Sequence, residues 1–221
     1  MSWSDIFYPD NPKRREKVLR LKAELQECMS NNFRATNLLI TAMNKHLGCS
    51  FPQIQIINTG TINENCQILI ESITKIQEKL AQIDQKLKEE LEPEIYQKLH
   101  DANLPSDVQK NLSKLIGPIL GVMATVGSIV LITLIGKGII LTAMVTGIGA
   151  IATGLIALFS LAVVILGVDM IISAIVGAEE RDQLEYAIRE YEKALKTFKP
   201  ASEQYQEALF DAITKVKHMD D

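Results

Sequence analysis

The string Gly147-Ile148-Gly149-Ala150-Ile151-Ala152 has the form G-x-G-x-x-A, and Asp169 follows at about the distance of a ribose-binding acid. In a dinucleotide fold those glycines let a strand-to-helix turn approach a pyrophosphate. That chemistry needs a βαβ unit, and the rest of the chain has helical period with no further strands to build a sheet. No dinucleotide is expected. Gly136-Lys137 lacks the upstream glycine and the following Ser or Thr of a phosphate loop. His46, His100 and His218 stand apart from one another and from Cys28, Cys49 and Cys66, which leaves no metal-ligand spacing and no Cys-His pair. Three widely spaced cysteines suit a reduced compartment, and Cys28 and Cys66 fall on apolar helical stripes as core residues. The carboxylates are scattered over polar helix faces. The expectation is a protein with no catalytic residues, no cofactor and no metal.

Two other residues carry more information because of their surroundings. Between Lys114 and Glu179 the only charged side chains are Lys137 and Asp169, and ten of the twelve glycines lie there. A bilayer core needs roughly 20 apolar helical residues. Leu115 to Ile135 supplies 21 and Ile139 to Val168 supplies 30. Lys137 sits in a Gly136-Lys137-Gly138 turn, so two antiparallel helices are expected to meet there with the ammonium in a wet position. Asp169 is either an ionisable group at membrane depth, which needs a partner or water, or the mark of the segment's end. The residues expected to enter lipid are Leu115, Ile119, Ile129, Leu134, Lys137, Ile140, Leu155, Phe159, Val164 and Asp169. Threonines and serines dilute the segment and no aromatic belt flanks it, so a buried hairpin wrapped by other helices is the competing reading.

The elements that must position this segment are helical. Asp10 or Asn11 with Pro12 in the first turn starts a helix of about 11–47, which Gly48 stops. Its stripe runs Val18, Leu21, Leu25, Cys28, Asn32, Ala35, Leu39, Ala42, His46. A loop or short extended stretch covers Phe51 to Ile57. A helix of about 61–91 then carries Ile62, Cys66, Leu69, Ile73, Ile76, Leu80, Ile83 and Leu87 at 4-3 spacing, the signature of a coiled-coil strand. Pro93 opens a short helix of about 93–102, and Ser106 with Gln109 makes a capping box for the next. After Glu179 the stripe Leu184, Ile188, Tyr191, Leu195, Phe198, Ser202, Tyr205, Leu209, Ala212, Val216 continues through Pro200, where a kink or two collinear helices are expected.

The predicted fold is therefore all-α: an elongated antiparallel bundle or coiled coil with a central apolar helical hairpin. It divides into an amino-terminal arm (1–114), the apolar hairpin (115–178) and a carboxy-terminal amphipathic arm (179–221). The formal net charge of −4 leaves no basic surface for displacing counterions from phosphates, so nucleic acid is not an expected partner. No signal peptide is visible in residues 1–20, which predicts cytosolic synthesis.

Several strings carry a family likeness: Tyr8-Pro9, Asn11-Pro12-Lys13-Arg14-Arg15-Glu16, His46-Leu47-Gly48-Cys49, Gly60-Thr61-Ile62 with Glu64-Asn65-Cys66, and Leu91-Glu92-Pro93 with Tyr96 and Lys98-Leu99. Asp169-Met170-Ile171-Ile172, Tyr191-Glu192-Lys193, Ala201-Ser202-Glu203 with Tyr205, and Val216-Lys217-His218 extend it. Over most of its length the chain resembles the single-pass membrane and coiled-coil domain-containing protein 3 family. That resemblance implies membrane and coiled coil and brings no catalytic residues, while the apolar segment here is long enough for two crossings. The layout is also similar to that of α-helical pore-forming toxins, in organisation alone. Two functions follow as expectations. One is a protein that folds soluble in the cytosol and inserts its hairpin into a bilayer; the other is a constitutive membrane-anchored coiled-coil module. The partner expected is a lipid membrane, with a homo-oligomer or a helical protein as further candidates.

Overall fold

The computed structural model describes residues 9–57, 62–101, 104–147, 149, 151–152 and 178–217. Among them the secondary structure is helical throughout, with no strand. Helix α1 (Asn11–Leu47) has Pro12 in its first turn and ends at Gly48, whose φ of 64° returns its N–H to the Met43 carbonyl. The buried positions of α1 include Val18, Leu21, Leu25, Cys28, Asn32, Ala35, Leu39, Ala42 and His46.

Residues 51–57 are extended and run back along α1, held by asparagine side chains. Asn44 accepts from Phe51 N–H at 2.9 Å and donates to its carbonyl at 2.8 Å. Asn37 brackets Ile54 in the same way, at 2.9 and 2.8 Å. Asn65 brackets Ile57, at 2.7 and 3.0 Å. An amide carries one acceptor and two donors, so it can satisfy both backbone groups of a residue that has no strand partner.

The return segment delivers helix α2 (Ile62–Glu90) to the middle of α1, where the Cys66 thiol lies 4.0 Å from the Met29 sulfur. Farther along, Lys86 donates to the Ile119 carbonyl at 2.5 Å, three residues before the Val122 that rests on Gly48 at the end of α1. The start of α2 thus lies at the middle of α1 and its later turns near the end of α1, so α2 runs parallel to α1. Cys66, Leu69, Ile73, Ile76, Leu80 and Leu87 are fully buried and Ile83 nearly so.

After the short helix α3 (Pro93–Lys98) come α4 (Ser106–Leu120), α5 (Val126–Gly136) and α6 (Ile139–Gly147). Helix α7 (Ala178–Lys217) then passes through Pro200 as a single element. Leu184, Tyr191, Leu195, Phe198, Tyr205, Leu209 and Val216 are buried on it, and Ile188 is partly so.

The expected antiparallel direction of the arms does not hold. Arg14 pairs with Glu185 at 2.9 Å, Lys17 with Glu192 at 2.7 Å, and Glu24 with Lys199 at 2.6 Å. Asn32 then bonds Ser202, and Thr36 bonds Tyr205. Positions rise together along both helices, so α1 and α7 are parallel. The physical reason is charge order: the cations at the start of α1 meet the acids at the start of α7, whereas the reverse direction would place them against Lys215 and Lys217. A heptad stripe reports that a helix has a partner and is silent on the direction of that partner.

Candidate functional site

Helix α5 has the sequence VGSIVLITLIG, with no charged side chain on any face, and eight of its eleven residues are buried. It packs against α7, α4, α1 and α2, so the amphipathic arms enclose it. Thr125 caps its first turn: the hydroxyl accepts from Ser128 N–H, and the Ser128 hydroxyl accepts from Thr125 N–H at 3.0 Å.

The same pair fastens α5 to the end of α1. The His46 ring nitrogen Nδ1 lies 3.1 Å from the Thr125 hydroxyl, and Ser128 Oγ donates to the His46 carbonyl at 2.8 Å. His46 is 3% exposed. Near the other end Thr133 donates to the Leu99 carbonyl at 2.5 Å and to the Ile129 carbonyl at 2.9 Å. Every hydroxyl of this apolar helix therefore has a partner within the protein, as burial demands.

Close approach is made through glycines. Gly48, already at positive φ, has Val122 against its missing side chain. A Cβ at Gly136 would strike the His100 ring, which stands edge-on to Tyr96 with centroids 4.5 Å apart. A Cβ at Gly147 would come within 2.6 Å of the Tyr205 ring. That tyrosine hydroxyl bonds Thr36 at 2.8 Å, which ties the α6 contact to the α1–α7 seam.

The seam itself contains a polar cluster. Asn32 Oδ1 accepts from Ser202 Oγ at 2.7 Å and from Gln206 Nε2 at 2.9 Å. A buried amide of this kind fixes helix register.

Two expectations about the apolar segment are corrected. Leu115 to Ile135 is not one helix: α4 ends at Gly121, φ 70°, and α5 begins five residues later. Pro118 with Gly121 is the stop signal, and Thr125 with Ser128 is the start signal; both are readable in the sequence and outweigh the unbroken apolarity. The Gly136-Lys137-Gly138 turn does not reverse the chain, because α5 and α6 meet at a bend of 62°. Gly138, φ 71°, makes that bend. Among the described residues no single helix is long and apolar enough to cross a membrane, although α5 and α6 together have the length and composition.

Of the residues assigned to lipid entry, Ile129, Leu134 and Ile140 are buried, Ile119 is partly buried, and Leu115 and Lys137 are exposed. Leu155, Phe159, Val164 and Asp169 lie outside the described residues. Sequence reasoning placed His46 on a stripe and found no chemistry for it; its bond to Thr125 spans 79 positions and leaves no local signal.

Residues 14–174 match a family model described as Protein of unknown function (DUF4533). No solved structure matches the chain.

Proposed function

The chain belongs to the DUF4533 family, and from that premise we propose that it is a membrane-associating helical bundle whose apolar pair α5–α6 leaves the shelter of the arms for a bilayer. The observation that carries this reading is the enclosure of α5. A helix that is apolar on every side belongs in a core or in lipid, and this one is packed against α1, α2, α4 and α7 and pinned by the Ser128 and Thr133 hydroxyl bonds, while the α1–α7 seam has ion pairs and a polar cluster of its own. The alternative, an anchored module that recruits partners through the exposed stripe of α2, loses its motive because that stripe is spent inside the bundle.

The test is an environment-sensitive fluorophore on a cysteine at position 145, with Cys28, Cys49 and Cys66 replaced by alanine. Val145 is 56% exposed, so the label leaves the packing intact. On adding anionic vesicles the emission should shift to the blue and be quenched by lipids carrying a nitroxide in the acyl chain. A label at Glu207, on the exposed side of α7, should stay in water. Equal and weak quenching at both positions would remove the proposal.

A further inference from the structure

A cleft of about 400 Å³ opens where the start of α4, the outer side of α5, the α5–α6 bend and the end of α7 come together. Its walls are mostly apolar: Ile129, Val130, Leu134 and Ile139 line it. The polar wall groups are largely spent on the protein. Thr133 bonds the Leu99 carbonyl, Gln109 Nε2 bonds the Leu104 carbonyl at 3.0 Å, and Lys215 is paired with Asp211 at 2.6 Å. Asp101 contributes one negative charge. Lys137 is different, since among the described residues it has no acidic partner. Lys215 is offset by Asp211, so Lys137 is the rim cation left to meet an acid group.

A small apolar cleft with a few polar groups at one end is the form of a ligand site. Its volume stands near the lower limit for such sites, with room for one hydrocarbon chain and not for two. We propose that this cleft binds a single-chain anionic amphiphile, with the chain on Ile129, Val130, Leu134 and Ile139 and the acid group at Lys137. This goes beyond the bilayer reading and does not depend on it: a chain seated here would hold α5 against α4 and α7, so occupancy stabilises the sheltered arrangement.

The probe is sodium decanoate, titrated calorimetrically into the full chain below its micelle concentration. Decyltrimethylammonium and decyl maltoside serve as cationic and neutral counterparts of the same chain length. Decanoate should bind with one-to-one stoichiometry, at least tenfold more tightly than either counterpart, and should raise the melting temperature. Lys137→Gln should weaken decanoate about tenfold and leave decyl maltoside unchanged. Val130→Trp should fill the cleft and abolish binding while helicity and melting stay as in the parent; if that variant fails to fold, Ile139→Trp, on a residue 37% exposed that lines the same cleft, takes its place. Equal affinity for the three headgroups, non-saturating uptake, or undiminished binding in the folded tryptophan variant would overturn the proposal. Vesicle quenching at position 145 is read separately, so failure here and failure of the bilayer reading are distinguishable.

Discussion

The Cys66 thiol is packed against Met29 inside the bundle, and burial pushes its pKa from 9.0 up to about 12. In the unfolded chain the thiol loses its proton near pH 9, whereas the folded chain keeps it to about pH 12. The contribution of Cys66 to stability is therefore complete below pH 9 and is lost as pH rises through that window. Between those limits each fully shifted group changes the unfolding free energy by about 1.4 kcal/mol per pH unit. Burial moves Cys28, Cys49, Tyr96 and Tyr205 the same way, so the protein should be alkali-labile as a whole. Denaturant titrations of Cys66→Ala between pH 9 and 12 should show a slope shallower by about that amount; an unchanged slope would place the thiol in water. Asn37 offers a second residue-scale test. Exchanging it for aspartate removes the donor to the Ile54 carbonyl and sets a carboxylate against that oxygen, at a cost of about 1–3 kcal/mol. Asn37→Ser, which keeps a donor and acceptor on a shorter arm, should recover part of the loss in the same melts. The core positions of α2 were legible from spacing because burial and a 4-3 repeat are one fact seen twice. The asparagine clamps were not, because an isolated Asn in a helix looks the same whether it faces water or a return segment.

At the scale of elements, both ends of α1 and the start of α3 fell at their expected places, since Pro12, Gly48 and Pro93 act on the backbone next to them, whereas α3 stops at Lys98, short of the expected 102. Direction was not legible from stripes, although it was written in the charge order: Arg14 and Lys17 near one end of α1, Glu185 and Glu192 near the corresponding end of α7, and Glu24 opposite Lys199 farther along. Each such pair is at least partly exposed and contributes little to stability by itself, but together they penalise the reversed arrangement. The hydrogen bond from Lys199 to Glu24 also raises the pKa of that lysine. A zero-length carbodiimide joins an amine to a carboxylate only where the two are already in contact. Treated chain digested and read by mass spectrometry should yield the Lys17–Glu192 and Lys199–Glu24 links. Links from the start of α1 to the last turns of α7, with neither expected link present, would restore the antiparallel arrangement.

For the whole molecule, what matters is which part can leave without the rest coming apart. The α1–α7 seam carries its own ion pairs and its own polar cluster at Asn32, Ser202 and Gln206, none of which involves α5. Helix α5 is held at its start by the Thr125 cap and by the Ser128 bond to the His46 carbonyl. Removing a helix cap costs about 1 kcal/mol, and losing the hydroxyl that serves a buried carbonyl costs about as much again. Thr125→Ala with Ser128→Ala should therefore weaken the attachment by about 2 kcal/mol, which multiplies the population of any opened state by about 30. If α5 is a separable unit, amide hydrogen exchange in Val126–Gly136 should accelerate by about that factor while exchange in α1 and α7 keeps its parent rate. The label at position 145 should then reach the acyl chains of the bilayer at lower lipid concentration, because less of the binding energy is used to free the helix. Acceleration of α1, α5 and α7 together would mean that the bundle opens only by global unfolding. In that case the shelter is simply a core, and a route to the bilayer through release of α5 is closed.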